Sequence, residues 1–303
     1  MIRKLLIVFL LVSSLSAKDI ITPNEVYSQV MHIIDEMHFM LKYFNVKHDH
    51  DGINKRTYVS SKLKPRNAWQ KTYEIMIKIN ILREEYKLPI IEPVNMSPVL
   101  HLNPDLVYEQ TQRILTELHI FETRLGITLP KSKDVIYKGK TPIDVFNALS
   151  HVSASLDELN KGGVTPSYVF GENMRLLDDI SLILQNLKIQ DKTIPASKNI
   201  HATPSNTFNT GMKMLDKIKQ LQISAGIDFV DFSQFKKDVS TPSEVFGITQ
   251  MILAELQTIK AYVGVTDITR AAHGYKIKTP VEVDQLMSWN LRKLNLIHSL
   301  NRR

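Results

Sequence analysis

One short pattern recurs eight times along this chain and restricts it to a helical repeat. A polar residue precedes a proline, and apolar residues follow at fixed distances. The starting prolines stand at 23, 65, 104, 142, 166, 204, 242 and 280. The clearest copies are TPSYVFGENMRLLDDI from Thr165, TPSNTFNTGMKMLDKI from Thr203 and TPSEVFGITQMILAEL from Thr241. Thr or Asn before proline is a helix N-cap, because its side-chain oxygen accepts an orphan backbone N–H. Proline suits the first helical position, having no N–H to leave unpaired. Glu25, Asp105, Asp144, Glu244 and Glu282 then favour the positive end of their helices. Lys64 departs from the pattern, so the second helix has the weakest start.

Counted from each proline, apolar residues concentrate at offsets 3, 4, 10, 11, 14 and 17, one stripe on a helix. Offset 4 is aromatic in seven copies: Tyr27, Trp69, Tyr108, Phe146, Phe170, Phe208 and Phe246. Recurrence at one helical position predicts a repeated core layer. Asp284 breaks that layer in the last copy and is expected to mark an exposed end. Gly171, Gly211 and Gly247 fall in early helical turns, where each costs about 1 kcal/mol relative to Ala; close helix crossings are the expected compensation.

The pattern predicts helices of about 20 to 24 residues, ending near Val46, Leu88, Gly126, Ile189, Gly226 and Gly264. Polar connections of about 14 to 18 residues follow. Fourteen extended residues reach about 45 Å. That exceeds the roughly 30 to 36 Å length of the helices. The connections can therefore return along the bundle and let successive helices run parallel.

Successive prolines are 42, 39, 38, 24, 38, 38 and 38 residues apart. The short fourth step leaves only the stretch around Gly162 and Gly163 between two sets of four copies. The expected fold is all-α: two tandem four-helix units, residues 18–162 and 163–303, built from eight copies of one helix-plus-long-loop repeat. The alternative is a continuous helical-repeat array, in which the step should be constant.

Residues 1–17 read as a signal peptide. Arg3 and Lys4 precede the apolar run Leu5–Val12, and small residues lead to Ala17. The run is shorter than the roughly 20 residues a membrane-spanning helix needs. The mature chain is expected to begin at Lys18, in the periplasm or secreted, with no transmembrane span after cleavage. There is no cysteine, so the core must hold the fold without disulfides. The formal charge is +7, two charges of which belong to the leader. No basic block is dense enough for nucleic acid.

No glycine-rich phosphate loop, HExxH, GxSxG or cysteine pair is present. Neither catalysis nor a cofactor is expected. The metal candidate is HDHDG, in which His48, Asp49, His50 and Asp51 crowd imidazole and carboxylate groups into one loop. A second candidate lies within helices: Asp35 with His38, and Glu117 and His119 at matching depth. Carboxylate and histidine at i and i+3 can build a bundle metal centre, but residues two apart diverge around a helix. The function expected is an exported interaction or scaffold protein whose partner is another protein of the cell envelope. The alternative is a small-ligand or metal-binding protein using a bundle cavity or the inter-unit junction near Gly162.

Overall fold

A computed structural model describes residues 20–47, 62–128, 135–235 and 240–300. The expected leader, residues 1–17, and the metal candidates His48, Asp49, His50 and Asp51 lie outside them. Among the described residues the chain is all-helical, with eight helices and no strand. They are α1 Pro23–Tyr43, α2 Pro65–Glu85, α3 Pro104–Leu125, α4 Pro142–Leu159, α5 Pro166–Asn186, α6 Pro204–Ala225, α7 Pro242–Val263 and α8 Pro280–Leu294. Each begins at the proline of its repeat. In α1, α4, α7 and α8 the threonine N-cap and the acid three residues on form a reciprocal capping box. At Lys64, where the cap residue is wrong, the Asn67 side-chain oxygen accepts from the Lys64 N–H at 2.9 Å, and α2 still starts at Pro65.

Six of the helices stop by one device. A residue at or just after the cap turns left-handed, and the next, apolar in all six, donates its N–H to the carbonyl five residues back. Gly126, Gly226 and Gly264 supply the turn in α3, α6 and α7; Asn45, Lys87 and Lys188 do so at positive φ in α1, α2 and α5. The closing bonds run from Val46 to Leu41, Leu88 to Arg83, Ile127 to Glu122, Ile189 to Leu184, Ile227 to Gln222 and Val265 to Lys260. These are Schellman motifs. Val46, Leu88 and Ile189 therefore stand just beyond the helices that the sequence pattern ran up to them.

Helix α1 packs on α3 and α4, and α2 on the same two; α5 packs on α7 and α8, and α6 on the same two. Both sets of four thus close in the same order. Within each set the helices run parallel. Pro23, Pro65, Pro104 and Pro142, with Val26, Ala68, Val107 and Val145, line one cavity of about 20 Å³, and the matching residues of α5 to α8 line another. Level starts put equal offsets at equal height. Offsets 3, 10, 14 and 17 are buried in all eight copies, for instance Ile33, Ile75, Ile114 and Val152 at offset 10; in the last copy offset 17, Ile297, lies just past α8. A further layer at offset 7 completes a three-four alternation like that of coiled coils. It holds Val30, Thr72, Thr111, Leu149, Asn173, Thr249 and Met287, with Gly211 in α6. Its threonines return their hydroxyl protons to Trp69, Tyr108 and Val245 carbonyls of their own helices, so they pack as small apolar residues.

The offset-4 aromatics pack as expected: Trp69, Phe146, Phe208 and Phe246 are buried, and Tyr27, Tyr108 and Phe170 flank the cores. Asp284 is a correction. It is only 9% exposed, with Thr207 Oγ1 3.5 Å from its carboxylate, so the last copy buries an acid where an exposed end was expected. Of the helical glycines, Gly211 shows the expected close crossing, since a Cβ there would come within 3.1 Å of Ile248 on α7.

The two sets meet through α2 and α7. Arg66 near the start of α2 pairs with Glu255 in the second half of α7, and Gln70 with Gln250, so these helices run antiparallel. Long connections return the chain and keep neighbours parallel; the short link after α4 reverses it. Gly163 sits at φ +70 there, where a Cβ would fall 2.2 Å from Asp157 Oδ1, so a side chain at this turn would be strained and would displace the Asp157 carboxylate.

Candidate functional site

Charge is buried along the α2–α7 seam, between α1 and α3, and in the Asp179–Lys260 pair of α5 and α7, and one repeat position contributes to each. Offset 13 is charged in seven of the eight copies: Glu36, Lys78, Glu117, Asp179, Lys217, Glu255 and Lys293, with Ser155 in α4. It lies beside the buried offset 14 and faces the flank of a neighbouring helix. In several copies it meets offset 15 or 18 of that neighbour. Lys78 reaches Asp157 at 2.8 Å, Arg83 reaches Glu117 at 3.0 Å, and Gln222 donates to Glu255 at 2.7 Å.

The first region is the α2–α7 seam. Arg66 to Met76 and Ile248 to Lys260 are buried without a break. Arg66 Nε and Nη2 each donate at 2.9 Å to a different oxygen of Glu255, which also accepts from Asn67 and Gln222. Gln70 donates to Gln250, Gln250 to Glu172, and Arg175 pairs with Glu172 while stacking 4.5 Å over Tyr73. Glu74 joins Lys71 and Lys78; burial pushes its carboxyl up, and the two ammoniums outweigh that and hold it below the usual range. These groups are satisfied by one another. The cavity left among Lys71, Glu74, Asp157, Ser243 and Gly247 is about 40 Å³, room for ordered water. This cavity and the two of about 20 Å³ at the bundle ends are below the roughly 300 Å³ at which small-molecule pockets begin.

The second region lies between α1 and α3. Glu36, His119 and Glu122 each bring a ligating atom to within 4.8 Å of the others. His119 and Glu122 are three apart and share a face of α3; Glu36 comes across from α1. His119 Nε2 lies 2.6 Å from Glu36 Oε1. Glu36 is 9% and Glu122 5% exposed, yet Glu36 Oε2 and Glu122 Oε1 have no hydrogen-bond partner. Burial, then the Glu36 charge, pushes Glu122 up to about 7 against the opposing pull of His119. Burial also raises Glu36, although His119 and His32 pull the other way. The His119 side chain is 54% exposed and opens to a surface depression of about 640 Å³ along Thr116, Ile120, Thr123 and Arg124.

Of the sequence candidates, His119 belongs to this cluster. Glu117 turns away to Arg83, as its two-residue spacing requires. Glu36 and Glu122 were missed, because the sequence does not say which helices are neighbours. The available signal was the pairing of His119 with Glu122 at i, i+3 and the recurrent charge at offset 13.

The described residues form an all-helical protein with charge buried at the α2–α7 seam and between α1 and α3. No protein-family model matches the chain, and no match is found among curated proteins or solved structures. No described helix is long and apolar enough to cross a membrane.

Proposed function

We propose that this chain is an exported helical-repeat scaffold without catalytic activity, periplasmic or secreted, that presents its return loops to another protein of the cell envelope. The observation that carries the reading is the α2–α7 seam. Two bundles joined through the buried Arg66–Glu255 ion pair and the hydrogen bonds from Asn67 and Gln70 beside it hold one orientation, which a six-residue tether alone would not impose, and loops on a rigid body need little ordering upon binding. The return segments carry exposed apolar side chains. Ile90 and Val94 follow α2, Ile194 and Ile200 follow α5, and Ile277 precedes α8. Apolar residues on ordered loops are contact points for a protein partner.

Full-length protein cross-linked in its native cell envelope tests this. One partner captured by the wild type is expected to be lost when Ile90, Ile194 and Ile277 are changed together to Ser, with helix content and melting unchanged. The exported chain should begin at Lys18 on N-terminal sequencing. Capture unaffected by the triple change, or a chain retained in the cytoplasm with Arg3 in place, would remove the reading.

A further inference from the structure

We infer that Glu36, His119 and Glu122 bind a divalent first-row transition cation, zinc before the others, with the open side of the site left to solvent.

The evidence is a comparison of the chain with itself. Glu36 is offset 13 of α1; His119 and Glu122 are offsets 15 and 18 of α3. The same offsets of the matching helices α5 and α7 are Asp179, Gln257 and Lys260. Those residues meet in the same way. Lys260 Nζ lies 2.7 Å from Asp179 Oδ1, and Gln257 Nε2 donates to Asp179 Oδ2 at 3.2 Å. Thr269 donates to the same carboxylate at 2.6 Å. Asp179 and Lys260 are 1% and 0% exposed, a buried acid neutralised by a buried ammonium. In the first set that ammonium is replaced by Glu122 and the amide by imidazole. The slot keeps its acid, loses its cation and gains a second acid, while Glu122 stays 5% exposed with Oε1 unpartnered.

Two carboxylates in one buried slot repel each other and are costly without a compensating charge. A dication supplies the positive charge that lysine supplies in the second set, and both unpartnered oxygens then become ligands. The imidazole nitrogen selects zinc and its first-row neighbours over calcium and magnesium, which take oxygen ligands. Three ligating atoms within 4.8 Å of one another stand near the spacing that bonds of about 2.0–2.2 Å to one zinc ion require. Exposed His119 provides the entry path, and three protein ligands leave a fourth position for water.

Chelator-treated full-length protein titrated with zinc by calorimetry is expected to bind one ion, with calcium giving no comparable heat. Glu122→Lys installs the ammonium of the second set. It should fold and melt at least as high as the metal-free parent, and weaken zinc by more than the roughly 10–100-fold typical of an outer-shell change. His119→Ala should weaken binding likewise. His48→Ala/His50→Ala should retain the site. The reciprocal Gln257→His/Lys260→Glu change should raise the stoichiometry to two. Absence of stoichiometric zinc binding, its persistence in Glu122→Lys, or its loss with His48 and His50 would overturn the assignment.

Discussion

A single acid shows how the repeat treats an exception. Asp284 occupies the offset-4 place that is aromatic in the other seven copies, and burial raises its carboxyl above the usual range against the weak pull of Thr207. As pH rises, the unfolded chain ionises this group first. Folded stability therefore falls between the ordinary aspartate pKa and the raised one, and the penalty is constant above both. Asp284→Asn is expected to unfold at a higher temperature than the wild type at pH 7, and the gap should close as pH drops below the ordinary aspartate range. Melting curves from pH 3 to 8 check this; a gap independent of pH would assign the effect to packing. The exception was visible in the sequence, but its burial was not, since the pattern break resembles an end. Asn290 is parallel: a polar residue at offset 10, fully buried, whose side-chain amide donates to the Asn173 carbonyl at 2.9 Å.

At the scale of helices, α2 and α7 differ from their siblings because each is buried on all sides. An ordinary bundle helix hides one stripe and wets the rest. These two place polar residues where siblings face water, and join them to each other across the seam. Arg66→Ala should cost about 3–5 kcal/mol in denaturant unfolding, because it leaves the Glu255 carboxylate buried without its counter-ion. Replacing the pair together, Arg66→Met with Glu255→Leu, should recover most of that loss, because apolar groups carry no desolvation penalty. A double variant as unstable as the single one would mean that Asn67 and Gln222 depend on Glu255 for their own satisfaction. Helix positions were legible down to the starting residue. The return from each helix was legible too, since a connection long enough to cross the bundle permits parallel neighbours. Which helices touch was not, because each copy carries the same stripe. Hence His119 was singled out while its partners Glu36 and Glu122 were not.

For the whole molecule, each set of four helices encloses its own apolar cluster, one from Val26 to Leu159 and the other spanning α5 to α8 with Leu63 and Phe146 added. A half of this size is large enough for an independent core. Residues 18–161 and 164–303 expressed separately are expected to unfold cooperatively by circular dichroism, each at a lower temperature than the full chain, because Arg66 and Glu255, and Gln70 and Gln250, lose their partners. A soluble fragment without a cooperative transition would mean that the units fold only together. Side by side, four parallel helices align their macrodipoles unfavourably; acidic residues in their first turns and the opposed direction of the second set offset this. The amino-acid sequence by itself determined the eight helix starts, the buried stripe, the all-α class and the place where the period breaks, because capping and amphipathicity act within a few residues. Only the tertiary structure decided the pairing order, the antiparallel seam and the meeting of Glu36 with His119 and Glu122. Those depend on which of eight similar surfaces bury one another, and such a choice rests on shape and charge matched between segments far apart in the chain.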